Sequence, residues 1–254
     1  MKKEIISKYQ SWSLFIFCYN EKGNIKKVVL ECLDLLNKFH NPKNELIIID
    51  DGSTDGTREL LEVLIKEFQQ IKYKFHNKNK GIGSALISGY KMASNENICA
   101  VPGDGQFDLN ELSAFENIDE KVLVSFFRER NQHYPPFRKL LSWINKKLNA
   151  VFLNIKVKDV NWIKVYKKNG IDNIDFDLTS SLVESEIFAK MMVLGFKVKE
   201  IPSVYHAREY GKTKGASLKT LYQAASELLS LITIIAKFKK DLKRNSTPKT
   251  LKAH

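Results

Sequence analysis

The chain contains few cysteines, no apolar run long enough to cross a membrane, and fewer acidic than basic residues. Its three cysteines, Cys18, Cys32 and Cys99, show no CxxC spacing. This argues against a zinc site or a disulfide framework and predicts reduced thiols in the core. The longest apolar run near the C-terminus, residues 228–236, falls well short of the roughly 20 residues that span a bilayer. Residues 1–4 lack the apolar stretch of a secretory signal. We therefore expect a cytoplasmic protein rather than an integral membrane protein.

The shortage of acidic residues leaves a strongly basic chain. Lys and Arg total 41 against 29 Asp and Glu, for a net charge of +12. That excess suits an anionic partner, such as nucleic acid, a phosphorylated small molecule or an acidic membrane surface. No basic motif rich in aromatic residues supports nucleic-acid binding, so nucleic acid is not an expected partner. With 43% hydrophobic residues in 254, the chain can bury the core of one substantial α/β domain.

Strand and helix patterns alternate through the first part of the chain. Such alternation predicts right-handed crossovers and a mainly parallel sheet with helices on both faces. Ligands then bind beyond the carboxyl ends of the strands. The predicted strands are Trp12–Cys18, Glu45–Ile49, Ile71–Phe75 and Asn97–Val101, and the predicted helices are Gly23–Phe39, Thr57–Gln69 and Ile82–Ala93.

The alternation loosens after Leu109. Further strands are predicted over Val122–Phe127 and Lys197–Val204, and further helices over Phe137–Leu153 and Ser181–Leu194. Apolar residues at helical spacing predict an amphipathic helix over Ser217–Phe238, followed by a tail rich in lysine. We therefore expect one catalytic domain over residues 1–216 and an amphipathic helix with a basic tail over residues 217–254.

Polar residues follow the first two predicted strands. Tyr19-Asn20-Glu21 comes directly after one strand, and Asp50 and Asp51 come at the end of the next. Two adjacent carboxylates are costly at a strand end unless they form hydrogen bonds. Their acceptor oxygens suit ribose hydroxyls and base N–H groups. The alternative is a capped turn in which one of residues 53–55 begins the next helix, and both interpretations can hold together.

Two glycine-containing loops follow the next two predicted strands. In residues 79–85, Gly81 and the start of a helix favour an anion, although the third glycine of a dinucleotide-binding fingerprint is missing. In residues 102–108, the carboxylate of Asp104 and the amide oxygen of Gln106 suit a hard divalent cation that bridges phosphates. A surface turn is the alternative for this second loop.

Together these motifs resemble the family 2 glycosyltransferases, which have the GT-A fold. The closest likeness is to the branch that contains dolichol-phosphate mannose synthases and other polyprenyl-phosphate glycosyltransferases. The resemblance rests on Tyr19-Asn20-Glu21, on Asp50-Asp51-Gly52-Ser53-Thr54-Asp55-Gly56-Thr57, on Asn79 to Ala85, and on Asp104-Gly105-Gln106. It is strong from Trp12 to Asp108 and traceable to Gly215.

The resemblance implies a role for each matched residue. Arg138 and Ser142 would meet an acceptor phosphate, Asp104 and Gln106 would bind Mg²⁺ or Mn²⁺, and Asp104, Arg138 and Arg208 would form the catalytic set. The nucleotide sugar, linked to UDP or GDP, would be bound by Tyr19, Asn20, Glu21, Asp50, Asp51, Gly81, Asp104, Arg128 and Lys214.

One position departs from the family pattern. Pro102 stands where the family has the first Asp of its metal-binding loop. One carboxylate fewer lowers the expected affinity for the metal, and proline fixes the φ angle of the loop. The departure keeps open a non-catalytic relative that only binds nucleotide sugars.

The region around Glu184 bears on the acceptor. Transfer to a sugar hydroxyl normally needs a general base, which family members often supply from a Glu-Asp pair, and residues 181–187 contain no such pair. A phosphate acceptor is already an anion, so we expect inverting transfer to a polyprenyl phosphate, at the cytoplasmic face of a membrane. The helix Ser217–Phe238 would bury its apolar residues in the membrane interface while the lysines of the tail meet anionic lipid. A helix that packs on the core, followed by a disordered tail, is the alternative. Transfer to a glycan hydroxyl is the alternative.

Overall fold

A computed structural model describes residues 9–129, 146–147, 150–151, 153, 155–208, 210 and 218–246 of the chain. Its strands are β1 (Trp12–Cys18), β2 (Glu45–Asp50), β3 (Lys72–Phe75), β4 (Asn97–Pro102), β5 (Val122–Arg128), β6 (Lys164–Lys167) and β7 (Lys197–Ser203). Its helices are α1 (Ile25–Lys38), α2 (Thr57–Glu67), α3 (Ile82–Met92), a 3-10 helix (Leu109–Phe115), α4 (Lys168–Ile171), α5 (Val183–Val193) and α6 (Leu218–Ser246).

The seven strands form one sheet in the order β3-β2-β1-β4-β6-β5-β7. The pairs β2–β3, β1–β2, β1–β4 and β5–β7 are parallel, whereas β6 runs antiparallel to both β4 and β5. The prediction of a mainly parallel sheet is therefore confirmed, with one antiparallel strand that the sequence analysis did not predict.

Helices cover both faces of the sheet, as predicted. Leu14 and Ile16 of β1 pack in the core that includes residues of α1 and α2, whereas Phe15 packs in the core that includes residues of α3 and α5. Because both faces are covered, the central strands are apolar throughout, and all six residues of β2 are buried. Cys18, Cys32 and Cys99 are buried free thiols, and burial raises the pKa of each.

The C-terminal helix α6 extends to Ser246, eight residues beyond the predicted end at Phe238. Leu231 and Ile235 of α6 are buried in the core shared with α5, whereas Leu229 is 70% exposed. Of the helices that the structure describes, none combines the length and the apolar composition needed to cross a bilayer. The helix predicted over Phe137–Leu153 lies largely outside the described residues.

Candidate active site

A cavity of about 810 Å³ opens where β1, β2 and β4 end. The loops after these strands meet there because the carboxyl ends of parallel neighbours lie at one edge of the sheet. Residues from α5 and from the segment after β7 complete the wall. The cavity brings together eight of the predicted site residues, which are Tyr19, Glu21, Asp51, Gly81, Asp104, Gln106, Arg128 and Arg208.

The two adjacent carboxylates after β2 occupy different environments. Asp50 is fully buried outside the cavity wall. Its carboxylate accepts hydrogen bonds from Nε and Nη2 of Arg58 at 3.2 and 3.0 Å and from the backbone N–H of Ser53. The structure therefore places Asp50 inside the turn, although the sequence analysis assigned it to the nucleotide site.

Asp51 lies in the cavity wall and holds the next loop in place. Its Oδ1 lies 2.7 Å from Nδ1 of His76 and accepts the backbone N–H of Lys80 at 3.0 Å, and its Oδ2 accepts the backbone N–H of Gly81 at 2.8 Å. Gly81 has a φ of +90°, which a side chain would strain. A carboxylate offers about four acceptor positions, so Asp51 retains roughly one for a ligand.

Asn20 supports the turn that follows β2 instead of lining the cavity. It has a φ of +54°, and its backbone N–H donates to Oγ of Ser53 at 2.8 Å. Its side-chain oxygen accepts the backbone N–H of Thr54 at 2.7 Å. Because asparagine tolerates this left-handed conformation, Asn20 joins the end of β1 to the turn, while Tyr19 and Glu21 on either side reach the cavity.

Arg208 joins three predicted site residues through its guanidinium. Nη2 donates to Oδ2 of Asp104 at 2.7 Å, Nη1 donates to Oε1 of Glu21 at 3.1 Å, and Nε donates to Oε1 of Gln106 at 3.4 Å. Gln106 donates in turn to the hydroxyl of Tyr205. Arg208 lies 102 to 187 residues after its partners in the sequence, so local sequence patterns could not predict these contacts.

The predicted metal ligands Asp104 and Gln106 lie side by side, and both contact Arg208. Pro102 forms part of the cavity wall and contributes no carboxylate. Within the described residues, no three His, Cys, Asp or Glu side chains are grouped in a way that could hold a metal ion. The predicted loop itself offers a cation the carboxylate of Asp104 and the amide oxygen of Gln106.

Arg128 is anchored to a second wall of the cavity. Its Nε and Nη2 donate to the carboxylate of Asp159 at 2.7 and 3.1 Å, and its guanidinium carbon lies 4.7 Å from the ring centre of Trp162. No sequence motif predicts that Asp159 and Trp162 belong to the site. The remaining predicted residues Arg138, Ser142 and Lys214 lie outside the described residues.

Glu184 also lines the cavity, although the sequence analysis assigned it no catalytic role. The hydroxyl of Tyr90 donates to its Oε1 at 2.8 Å, and Nζ of Lys164 and the hydroxyl of Tyr166 donate to its Oε2 at 3.1 and 3.2 Å. Burial, reinforced by the nearby charge of Glu184, raises the pKa of both tyrosines. They therefore remain protonated donors.

Glu186 has a structural role in the same helix. It is fully buried and accepts the backbone N–H groups of Asp177 and Leu178 and the ammonium group of Lys190. Burial raises the pKa of Glu186, while the hydrogen bonds oppose that change. Glu186 therefore holds the segment before α5 and lies outside the cavity wall.

Comparison with known proteins agrees with this geometry. The model for glycosyl transferase family 2 matches residues 13–168. The chain is 22% identical over 185 residues to the undecaprenyl-phosphate mannosyltransferase of Micrococcus luteus, covering 68% of this chain and 76% of that protein. It is 24% identical over 230 residues to the dolichol-phosphate mannosyltransferase of Pyrococcus furiosus, covering 87% of this chain and 63% of that protein.

The solved structures give the fold. Glucosyl-3-phosphoglycerate synthase from Mycobacterium tuberculosis, in complex with Mn²⁺, UDP-glucose and phosphoglyceric acid, superimposes with a TM-score of 0.63 at 15% identity. The match covers 89% of this chain and 79% of that chain. The fold is therefore the GT-A fold that the resemblance implied.

Proposed function

The chain belongs to glycosyl transferase family 2 and is a glycosyltransferase, and we propose that it transfers a sugar, with inversion, from a UDP- or GDP-linked donor to a polyprenyl phosphate. The observation that carries this proposal is the shared cavity of Asp51, Gly81, Asp104 and Arg208. In it, acceptor oxygens for a nucleoside lie near a guanidinium suited to a diphosphate.

The proposed reaction is a single displacement. An oxygen of the acceptor phosphate attacks the anomeric carbon, and the bond from that carbon to the β-phosphate oxygen breaks. The electron pair of the broken bond stays on the departing nucleoside diphosphate, whose charge Arg208 and Lys214 would stabilise. Arg138 and Ser142 are the proposed contacts of the acceptor phosphate.

A divalent cation fits the donor chemistry of this site. Asp104 and Gln106 present a carboxylate oxygen and an amide oxygen to one cationic group, the guanidinium of Arg208, and such oxygens are the ligands that Mg²⁺ and Mn²⁺ prefer. When bound there, the ion would neutralise charge on the leaving diphosphate. This chemistry agrees with the Mn²⁺ in the solved glucosyl-3-phosphoglycerate synthase complex.

The choice of acceptor is supported by the relatives and by Glu184. The two relatives described above are named for undecaprenyl phosphate and dolichol phosphate. Glu184 already accepts from three donors, so only about one acceptor position remains for taking a proton from a substrate hydroxyl. A phosphate acceptor needs no such step. The presence of this carboxylate in the cavity nevertheless makes a glycan hydroxyl the second candidate.

The test is a transfer assay with a panel of UDP- and GDP-linked sugars. Each donor is incubated with undecaprenyl phosphate or with a glycan acceptor, with and without Mn²⁺, and glycolipid is separated from free sugar. We expect transfer to the lipid phosphate with one donor or a small group of donors. Nucleotide binding without transfer or hydrolysis of any donor would favour a non-catalytic nucleotide-sugar-binding protein instead.

A further inference from the structure

We propose that Glu21 supplies the carboxylate that Pro102 removes from the metal site, so that Glu21, Asp104 and Gln106 hold the divalent cation and Arg208 occupies that position until the cation arrives. This inference rests on the proposed function, because the cation serves the nucleoside diphosphate. It adds a ligand from the end of β1 to a site otherwise formed after β4.

The side chains of Glu21, Asp104 and Gln106 are each held by a hydrogen bond through one polar atom, and each presents an oxygen to the guanidinium of Arg208. Oε2 of Glu21 accepts from Nδ2 of Asn24 at 3.0 Å, which leaves Oε1 for Arg208. Oδ1 of Asp104 accepts the backbone N–H of Gln106 at 3.1 Å, which leaves Oδ2 for Arg208. The three oxygens therefore converge on a single cationic group.

Gln106 is oriented in the same way. Its Nε2 donates to the hydroxyl of Tyr205 at 2.5 Å and faces the carbonyl of His206 at 3.4 Å, so its Oε1 points towards Arg208. The amide of Gln106 thus adds an oxygen acceptor, and not an N–H donor, to the two carboxylate oxygens around Arg208. Two carboxylate oxygens and one amide oxygen form a ligand set for a hard cation, and a bound diphosphate would add further oxygens.

The charges explain why an arginine lies between these two carboxylates. Glu21 and Asp104 have side chains only 9% and 12% exposed, and two carboxylates this close are costly without a cation. One guanidinium leaves a net charge of −1 among the three groups, whereas a divalent cation would balance both carboxylates. A diphosphate can give the displaced guanidinium a new bidentate partner.

This exchange couples the metal to the nucleotide. Without nucleotide, Arg208 competes with the metal for the same oxygens, so metal binding is weak. With nucleoside diphosphate, Arg208 gains a partner and the metal gains ligands, so each should strengthen the binding of the other by the same factor. Arg208 would then move from the carboxylates to the donor when the site fills.

The experiment measures Mn²⁺ binding by the loss of the free-ion EPR signal, with and without UDP or GDP. In the presence of nucleotide we expect Glu21→Gln to weaken Mn²⁺ binding by about 10- to 100-fold, whereas Glu62→Gln, an exposed change on α2, leaves it unchanged. Adding Pro102→Asp to Glu21→Gln should restore most of the loss. Arg208→Gln should strengthen Mn²⁺ binding in the absence of nucleotide.

Equal Mn²⁺ affinity of Glu21→Gln and the wild-type protein would overturn the inference, as would a failure of Pro102→Asp to restore binding in a folded double variant. Thermal unfolding of each variant identifies loss of folding. These readouts do not depend on transfer. Mn²⁺ and nucleotide binding of the expected pattern without transfer of any sugar would count against the proposed function alone, whereas binding of neither would overturn both.

Discussion

The carboxylate of Glu184 lies in the cavity wall with three donors around it. Its partner Lys164 is almost fully buried, with a side chain 1% exposed, whereas the side chain of Glu184 is 15% exposed. The same residue can therefore be interpreted in two ways. It is either the counter-ion of the buried Lys164 or a base that reaches a substrate hydroxyl. Replacing Glu184 by a neutral residue distinguishes the two roles, because only a hydroxyl acceptor needs a general base.

We expect Glu184→Gln to retain transfer to undecaprenyl phosphate within about tenfold, because a phosphate acceptor carries its own negative charge. A general base contributes roughly 10²- to 10⁴-fold, so a loss of that size in kcat would indicate a hydroxyl acceptor. The variant leaves Lys164 without its charged partner, and we expect about 3 kcal/mol lower stability in urea unfolding.

Glu186→Gln is the matched control for this prediction. It removes a carboxylate from a second buried lysine, Lys190, but lies outside the cavity wall. If both variants lose similar stability and neither loses kcat, the role of Glu184 is that of a structural partner of Lys164. If only Glu184→Gln loses kcat, the glycan hydroxyl becomes the better acceptor.

At the scale of elements, the regular strand–helix units were predictable and the contacts between distant segments were not. The predicted bounds of α1, α2 and α3 agree with the structure to within two residues at each end. Strand β6 was not predicted because its sequence is Lys-Val-Tyr-Lys, and the burial of its two lysines depends on side chains far away in the sequence. Lys164 pairs with Glu184, and Lys167 donates to Gln10.

In the candidate site, too, local motifs were predictable and contacts between distant residues were not. The loops that follow β1, β2 and β4 were predictable because each motif is continuous in the sequence. Which carboxylate lines the cavity was not predictable, because Arg58 holds Asp50 inside the turn and His76 holds Asp51 in the wall. Neither partner belongs to the motif. The grouping of Glu21 with Asp104 likewise depends on Arg208, which comes from a distant segment.

The start of α3 packs directly on the segment before α5, which lines the cavity. A Cβ atom at Gly83 would lie 2.2 Å from the carbonyl oxygens of Thr179 and Ser180. Backbone atoms cannot rotate away, so we expect Gly83→Ala to displace this segment and to lower stability by about 1–3 kcal/mol. Donor binding should weaken as well. Ser84→Ala, one residue further along α3, adds no atoms and removes only an exposed hydrogen bond to the carbonyl of Lys80, so it should change both quantities much less. Urea unfolding and isothermal titration with the nucleotide check both variants.

Helix α6 offers two leucines in contrasting surroundings. Leu231 is buried in the core and Leu229 is 70% exposed. Truncation of a buried leucine costs about 2–5 kcal/mol, whereas exposed truncations usually change stability by less than about 0.5 kcal/mol. We expect Leu231→Ala to show the first effect and Leu229→Ala the second in urea unfolding. Equal effects would mean that α6 does not pack on the core as described.

The whole molecule carries an excess of 12 positive charges, and half of it lies in the last 18 residues. Residues 237–254 contain seven Lys and Arg and one Asp. Leu231 and Ile235, which attach α6 to the core, precede this segment. A chain ending at Phe238 therefore keeps these contacts, and that of Phe238 with the same core, and loses six of the seven basic residues. This separates the contribution of charge to membrane contact from the contribution of folding.

We expect the full chain to float with vesicles that contain anionic lipid and not with neutral vesicles, because each basic residue near such a surface contributes about 1 kcal/mol. Binding should fall at least tenfold between about 0.05 M and 0.5 M NaCl, since screening shortens the reach of these charges to a few ångströms. The chain ending at Phe238 should bind at least tenfold more weakly at low salt, with unchanged thermal stability. Undiminished flotation of the shortened chain would place the membrane contact elsewhere on the protein, and salt-independent binding would show that apolar insertion, rather than charge, holds it there.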